Sequence, residues 1–520
     1  MSKCDRSRPG LSCNFCLKRG LKCSGSFDSP VADLHVPTKE YDALDSRAKH
    51  DRTRQVSSLV IPDAVLREEL VELYFRYVHI AFHNLFHKQT FLERVRDNSI
   101  PKILFFGVVS LSARFSTHPI FASVDPWDRG RPYREETKRL LDLENTSLVS
   151  IQACMLLVAN ASVEGDPNTE SVYHTIAARM ASLLDLPTMP TKSLLEQEIN
   201  RRVWWSIIAS ETWSSAIHSL PRLLKPRDTV PLPMAEHQFC SLDPDVPIPP
   251  LDSPAYETVA GSGDRHSLLA QMIRLNLLLY DIILLNARVV AEQAQGAVSQ
   301  GLDSNLVQDL HNWVNNLPPL LQYSQENVAH WVQSGLGSTF LIMHINYNHA
   351  GQLLFYQHLH SAQQEQDALG AYKAQTLAQK CKQHATDLCE LIYQAKQRPE
   401  TVVLYPLAGH ILSLASTIHI HTLLFAVDES EISLAKLRLE RNFEIISSMN
   451  RYWPMTHKTV KRLQHFHNAC LRSQDDSFRL DTWMLQFLLG FTKDMEDRNS
   501  AWSQDHCSRE LDHLRNLLEI

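Results

Sequence analysis

Several things are scarce in this chain, and each shortage removes a class of protein. Alternating polar and apolar runs are few, which leaves little material for sheets and points to an all-α body. No Gly-rich phosphate loop and no Gly-x-Ser-x-Gly elbow occurs, so the usual catalytic signatures give no enzyme. The start Met-Ser-Lys lacks the apolar core of a signal peptide; the expectation is a chain that is not secreted, with its thiols in a reducing compartment. Charge is missing altogether from Thr401 to Val427, a length that would suffice for a bilayer, which takes about 20 apolar residues. Pro406, Gly409, His410, His419 and His421 interrupt that run, and it reads as the buried central helix of a large α-domain, not a membrane span.

What is present begins with size. At 520 residues the chain can hold one large or two to three ordinary domains, at roughly 150 residues each. Apolar residues make up 44% and charged residues 21%, the balance of a globular protein with a sizeable core. The net charge of −7 is unevenly spread: residues 1–23 carry +5, leaving −12 for the rest. A small basic head on an acidic body suits contact with double-stranded DNA through the head alone.

Residues 26–60 are polar, mixed in charge and without a heptad repeat, the composition of a flexible linker. Order is expected from Pro62-Asp63, where Asp63 can cap a helix bearing Leu66, Leu70, Leu73, Tyr74, Tyr77 and Val78. Helical patterns follow over 103–113, 147–161 and 172–186, with Pro187 as a stop. In 198–208, Ile199, Val203 and Ile207 share a stripe beside Trp204, and two adjacent tryptophans mark this helix as central to the core. Nine of the 25 prolines crowd between Pro221 and Pro254, too dense for a helix, so a long ordered loop or a boundary is expected there. Helical patterns return over 268–290, 341–359, 374–395, 401–427, 434–449 and 483–491. The domain reading is a head at 1–25, the linker, a helical regulatory domain at 61–260 and its helical continuation at 261–520.

Four of the ten cysteines, Cys4, Cys13, Cys16 and Cys23, fall within twenty positions, two of them as a Cys-x2-Cys pair. Thiolates at ~2.3 Å in a tetrahedron are what structural zinc takes from tight turns, so these four are the candidate Zn2+ ligands. Lys3, Arg6, Arg8, Lys18, Arg19 and Lys22 lie among them and are the candidate DNA contacts. The other six cysteines lie too far apart to suggest a second site and read as buried apolar residues.

This head resembles that of the fungal binuclear zinc cluster transcription factors, which hold two zinc ions with six cysteines. Lys3-Cys4-Asp5-Arg6-Ser7-Arg8-Pro9, then Cys13, Cys16 and Cys23, is similar to the second half of the family's pattern, with Phe15 and Lys18-Arg19-Gly20 in place. The family's first Cys-x2-Cys and its basic residues would precede Met1. The resemblance therefore implies either a true start upstream of Met1 or a truncated head that keeps one zinc, with phosphate contact through Lys3 and its neighbours and no direct reading of base edges by the residues given. Residues 73–91 resemble the start of the family's helical middle region, and Arg201-Arg202-Val203-Trp204-Trp205-Ser206 with Glu211 and Leu220-Pro221-Arg222 its most recognisable stretch.

Two clusters have chemical-looking spacing. His79, His83 and His87 would align on a helix as metal ligands, and Glu198, Arg201, Arg202 and Glu211 would form a charge cluster; fold and a structural network explain them better. The resemblance implies a nuclear regulator of RNA polymerase II genes, not an enzyme, acting on short CGG-type DNA sites. A second copy of the chain and transcriptional co-regulators are the protein partners it admits. The alternative is a helical regulator or ligand-sensing protein that no longer binds DNA specifically.

Overall fold

A computed structural model describes residues 59–79, 83–249, 264–296, 303–360, 368–472, 477–495 and 498. Among these residues there are helices and connecting turns and no strand, so the all-α expectation holds. In chain order the helices used below are α1 (Ala64–Tyr77), α2 (Lys88–Arg96), α3 (Lys102–Ser112), α4 (Arg131–Leu140), α5 (Leu148–Glu164), α6 (Pro167–Leu183) and α7 (Leu194–His218). They continue as α8 (Leu268–Ala294), α9 (Ser304–Asn315), α10 (Gln325–Gln333), α11 (Gly337–Phe355), α12 (Ala368–Gln397), α13 (Leu407–Phe425), α14 (Glu429–Met449), α15 (Met455–Arg472) and α16 (Thr482–Leu489).

Local chemistry sets the ends of these helices. Asp63 accepts from Leu66 N at 2.9 Å at the start of α1, and Ser147 from Ser150 N at 3.2 Å at the start of α5. Gly165 closes α5 in the left-handed region (φ 70°), and Asp166-Pro167 then opens α6 as N-cap and first residue. This tight reversal lays α5 and α6 side by side. Ser193 caps α7 while Glu196 reaches back to Lys192 N at 2.8 Å.

One continuous set of buried side chains runs from Leu66 to Met495. The uncharged segment at 401–427 forms α13, which is buried between α12, α14 and α15. Among the described residues α8 and α13 are long and apolar enough to cross a bilayer, and most of each apolar window is packed inside the protein. Trp204 is fully buried on α7, as its sequence neighbourhood suggested.

Two kinds of cross-link tie early helices to late ones. Arg114 Nη1 donates to Tyr452 O at 2.9 Å, and Trp127 Nε1 to Asn450 O at 2.8 Å. Up to residue 249 the proline-rich stretch is an ordered loop folded back on α7: Trp205 Nε1 donates to Pro231 O at 2.9 Å, and Leu194 N to Val246 O at 3.0 Å. From this loop Glu236 caps α8 at a distance in sequence, accepting from Ser267 Oγ, Leu268 N and Leu269 N at 2.8–3.1 Å.

Candidate ligand cavity

The proposed zinc ligands Cys4, Cys13, Cys16 and Cys23, and the proposed DNA contacts Lys3, Arg6, Arg8, Lys18, Arg19 and Lys22, lie outside the described residues. Within the described residues no group of three His, Cys, Asp or Glu side chains is placed to hold a metal. His79, His83 and His87 do not share a helix: α1 ends at Tyr77, and His87 is the N-cap of α2. Burial holds the His79 ring down to about 3 and the His83 ring to about 4, so both are neutral at physiological pH. Phe86 N donates to His79 Nε2 at 3.2 Å, which uses that nitrogen as a backbone acceptor.

On α7 the charge cluster is a structural network. Glu198, fully buried, accepts from Arg201 Nη1 at 2.7 Å, Arg202 Nε at 2.9 Å and Met234 N at 3.0 Å. Arg202 also donates to Met234 O at 2.8 Å and lies 3.9 Å over the Phe239 ring. The carboxylate therefore joins two guanidinium groups to the backbone of the proline-rich loop. Glu211 accepts from Leu224 N at 3.1 Å, holding the other end of that loop. Their partners are all structural, which leaves these charges no free face for chemistry.

A cavity of about 150 Å³ lies next to this network. Its walls come from α3 (Leu111), α5 (Met155, Val158, Ser162), α6 (Glu170), α7 (Ser206, Ala209, Trp213) and the segments bearing His83, Tyr405, Trp453 and Phe491. Half-buried residues, among them Val78, Ala159, Ser210 and Leu407, form its rim. Two hydrogen bonds place the 83–87 segment at its edge. Asn84 N donates to Ser206 Oγ at 3.2 Å, and Gln152 Nε2 to Leu85 O at 2.7 Å.

The lining is apolar and aromatic, with four polar atoms that have no hydrogen-bond partner in the protein. These are His83 Nε2, Glu170 Oε2, Trp213 Nε1 and the Tyr405 hydroxyl. Each such atom, buried and unsatisfied, costs about 1–3 kcal/mol. Burial lifts the Glu170 carboxyl to about 8; the Ser162 hydroxyl pulls it slightly back and the Asp166 charge pushes it up further. Trp213 is fixed from both sides, stacked on His349 at 5.6 Å and edge-on to Phe491 at 5.8 Å. An apolar pocket with a few convergent polar groups is the usual form of a small-molecule site. Sequence reasoning missed it because its walls come from segments that are far apart in the chain.

The fungal specific transcription factor domain matches residues 71–354, more than half of the chain. The chain belongs to that family. Similar proteins include the Zn(2)-C6 fungal-type transcription factor FTF1c of Fusarium oxysporum f. sp. lycopersici, 24% identical over 84% of this chain and 48% of its own length. Another from the same organism, the Zn(2)-C6 fungal-type transcription factor FTF2, is 24% identical over 82% of this chain and 41% of its own length. An uncharacterized transcriptional regulatory protein of Schizosaccharomyces pombe is 26% identical over 57% and 32% respectively. The chain spans about half or less of the length of these curated relatives. No solved structure matches it.

The family domain starts inside α1 and ends inside α11, so it contains the Glu198 network and the cavity walls contributed by α3, α5, α6 and α7. Tyr405, Trp453 and Phe491 lie beyond it. The cavity is thus closed by the C-terminal connections that bear Tyr405, Trp453 and Phe491, packed against the family domain.

Proposed function

We propose that the chain is part of a fungal zinc-cluster transcription factor that acts in the nucleus on RNA polymerase II genes. The helical body regulates, and the head at residues 1–25 meets double-stranded DNA. The observation that carries this reading is the family domain across 71–354, in a chain whose similar proteins are named as transcription factors. The cysteine spacing and the +5 charge of residues 1–23 support the role of the head. Cys4, Cys13, Cys16 and Cys23 supply four thiolates, a complete tetrahedral set for one zinc ion. Lys3, Arg6, Arg8, Lys18, Arg19 and Lys22 neutralise DNA phosphates. Homodimerisation and co-regulator binding would both fall to the body.

The cavity favours a second reading of the body: a ligand-sensing regulator whose output does not depend on DNA contact by its own head. Deletion of the gene with transcript profiling and chromatin occupancy tests the first reading. Changed transcripts with occupancy lost in a Cys13→Ser and Cys16→Ser double variant support it. Changed transcripts with occupancy unaffected favour the second, and unchanged transcripts together with absence from the nucleus overturn both.

A further inference from the structure

We propose that the cavity binds a small organic amine, its ammonium group set against Glu170 and its apolar body among Trp213, Tyr405, Trp453 and Phe491. Size restricts the ligand first. A cavity of about 150 Å³ admits a molecule no larger than a benzene ring with a short substituent. Polarity restricts it next. No Lys or Arg lines the cavity, so an anionic ligand would be buried without a countercharge.

A cation, by contrast, finds both of its usual partners. Four aromatic rings line the walls, and ring faces attract ammonium groups. Glu170 is 4% exposed, and its Oε2 is free of protein partners. The Tyr405 hydroxyl, and His83 Nε2 in the tautomer protonated at Nδ1, both without a protein partner, can accept the remaining ammonium hydrogens.

Behind the lining around Glu170, Arg114 lies 4.9 Å over the Trp453 ring and Lys458 acts on Asp166. Asp166 adds negative charge from the start of the same helix, and the Ser162 hydroxyl bonds to the carboxyl from α5. His174, one turn on, has its Nε2 committed to Ile207 O at 3.1 Å. The free carboxyl is protonated at neutral pH, since burial lifts it to about 8. When the ammonium enters, the carboxyl proton leaves to solvent and the carboxylate forms an ion pair with the ligand. No covalent bond forms or breaks, and one proton is released per amine bound.

The test is calorimetry on the full chain with three probes of similar shape: benzylamine (cationic), benzyl alcohol (neutral) and benzoate (anionic). Benzylamine is expected to bind at least tenfold more tightly than benzyl alcohol, and benzoate not at all. Buffers of different ionisation enthalpy should report release of one proton. Between about pH 6 and pH 8 the amine affinity should rise about tenfold per pH unit. Glu170→Gln should abolish both the amine preference and the pH dependence, while benzyl alcohol still binds. Benzyl alcohol binding as tightly as benzylamine would overturn the proposal, as would an amine affinity unchanged in Glu170→Gln. Failure of all three probes would mean a cavity that holds water only. Binding is read directly, so this outcome is independent of the transcriptional reading.

Discussion

Glu170→Gln also tests the burial of this carboxyl through stability alone, without any ligand. The folded chain keeps the carboxyl protonated up to about 8, whereas the ordinary value is 4.5. Between these limits the folded state holds a proton that the unfolded state has released. Stability from this group is therefore present at low pH and is lost as pH rises through the window. The folding equilibrium weakens about tenfold per pH unit, a total of roughly 5 kcal/mol by pH 8. Glutamine keeps the shape of the neutral carboxyl and cannot ionise.

The two proteins should then be close in stability near pH 4.5, with the variant pulling ahead steadily to about pH 8 and holding a constant lead above it. Every other titrating group is common to both, so their difference isolates Glu170. Urea denaturation of the full chain at a series of pH values measures it. Parallel stability curves across the window would refute the reasoning: Glu170 would then ionise in the folded state as readily as in the unfolded one, and amine binding would release no proton.

Three further outcomes are expected. Glu198→Ala leaves two buried guanidinium groups and the Met234 N–H without their acceptor, and should cost about 3–5 kcal/mol by chemical denaturation; a loss under about 1 kcal/mol would show that water replaces the carboxylate. Glu236→Ala should lower stability by about 2 kcal/mol or more, because three donors at the start of α8 lose their cap. Glu236→Gln, which keeps one acceptor oxygen, should cost less in the same thermal melt. The polypeptide Met1–Ile520 should carry about one zinc by metal analysis and bind CGG-bearing and scrambled duplexes alike, with a log–log salt slope no steeper than about −5 from its six basic residues. A clear preference for the CGG duplex, or two zinc ions per chain, would contradict it.

The parts of the fold legible in the sequence were those where apolar spacing and caps agree. Asp63, Ser147 and the adjacent tryptophans of α7 each marked a helix that forms. The helices α2, α4, α9, α10 and α15 are mostly polar; their few apolar residues share one face, but none offers the long apolar run that marks the others. The start of α6 was also missed, although Asp166-Pro167 is a strong start signal, because the apolar period begins only at Val172. The Glu198 cluster was legible as structure because opposite charges one turn apart beside two tryptophans have an evident use for each other.

Helix α6 shows why the cavity could not be read in advance. Reading its sequence by hydrophobicity would bury Val172 and Leu183 and expose Glu170, yet Val172 is 58% exposed, Leu183 69% and Glu170 4%. Glu170 lies on the face that α6 packs against α5 and α7. Ala177, Ala178, Met180 and Ala181 share that buried face, so Glu170 is an acidic exception on an apolar side, and burying its Oε2 with no partner works against folding. Natural chains are locally consistent except where a site requires otherwise. The buried, unpartnered Glu170 carboxyl is therefore the strongest physical argument that this cavity is built for a ligand. A ligand able to engage Glu170 recovers what burying it costs, and would bridge the family domain and the C-terminal segments that close over the cavity.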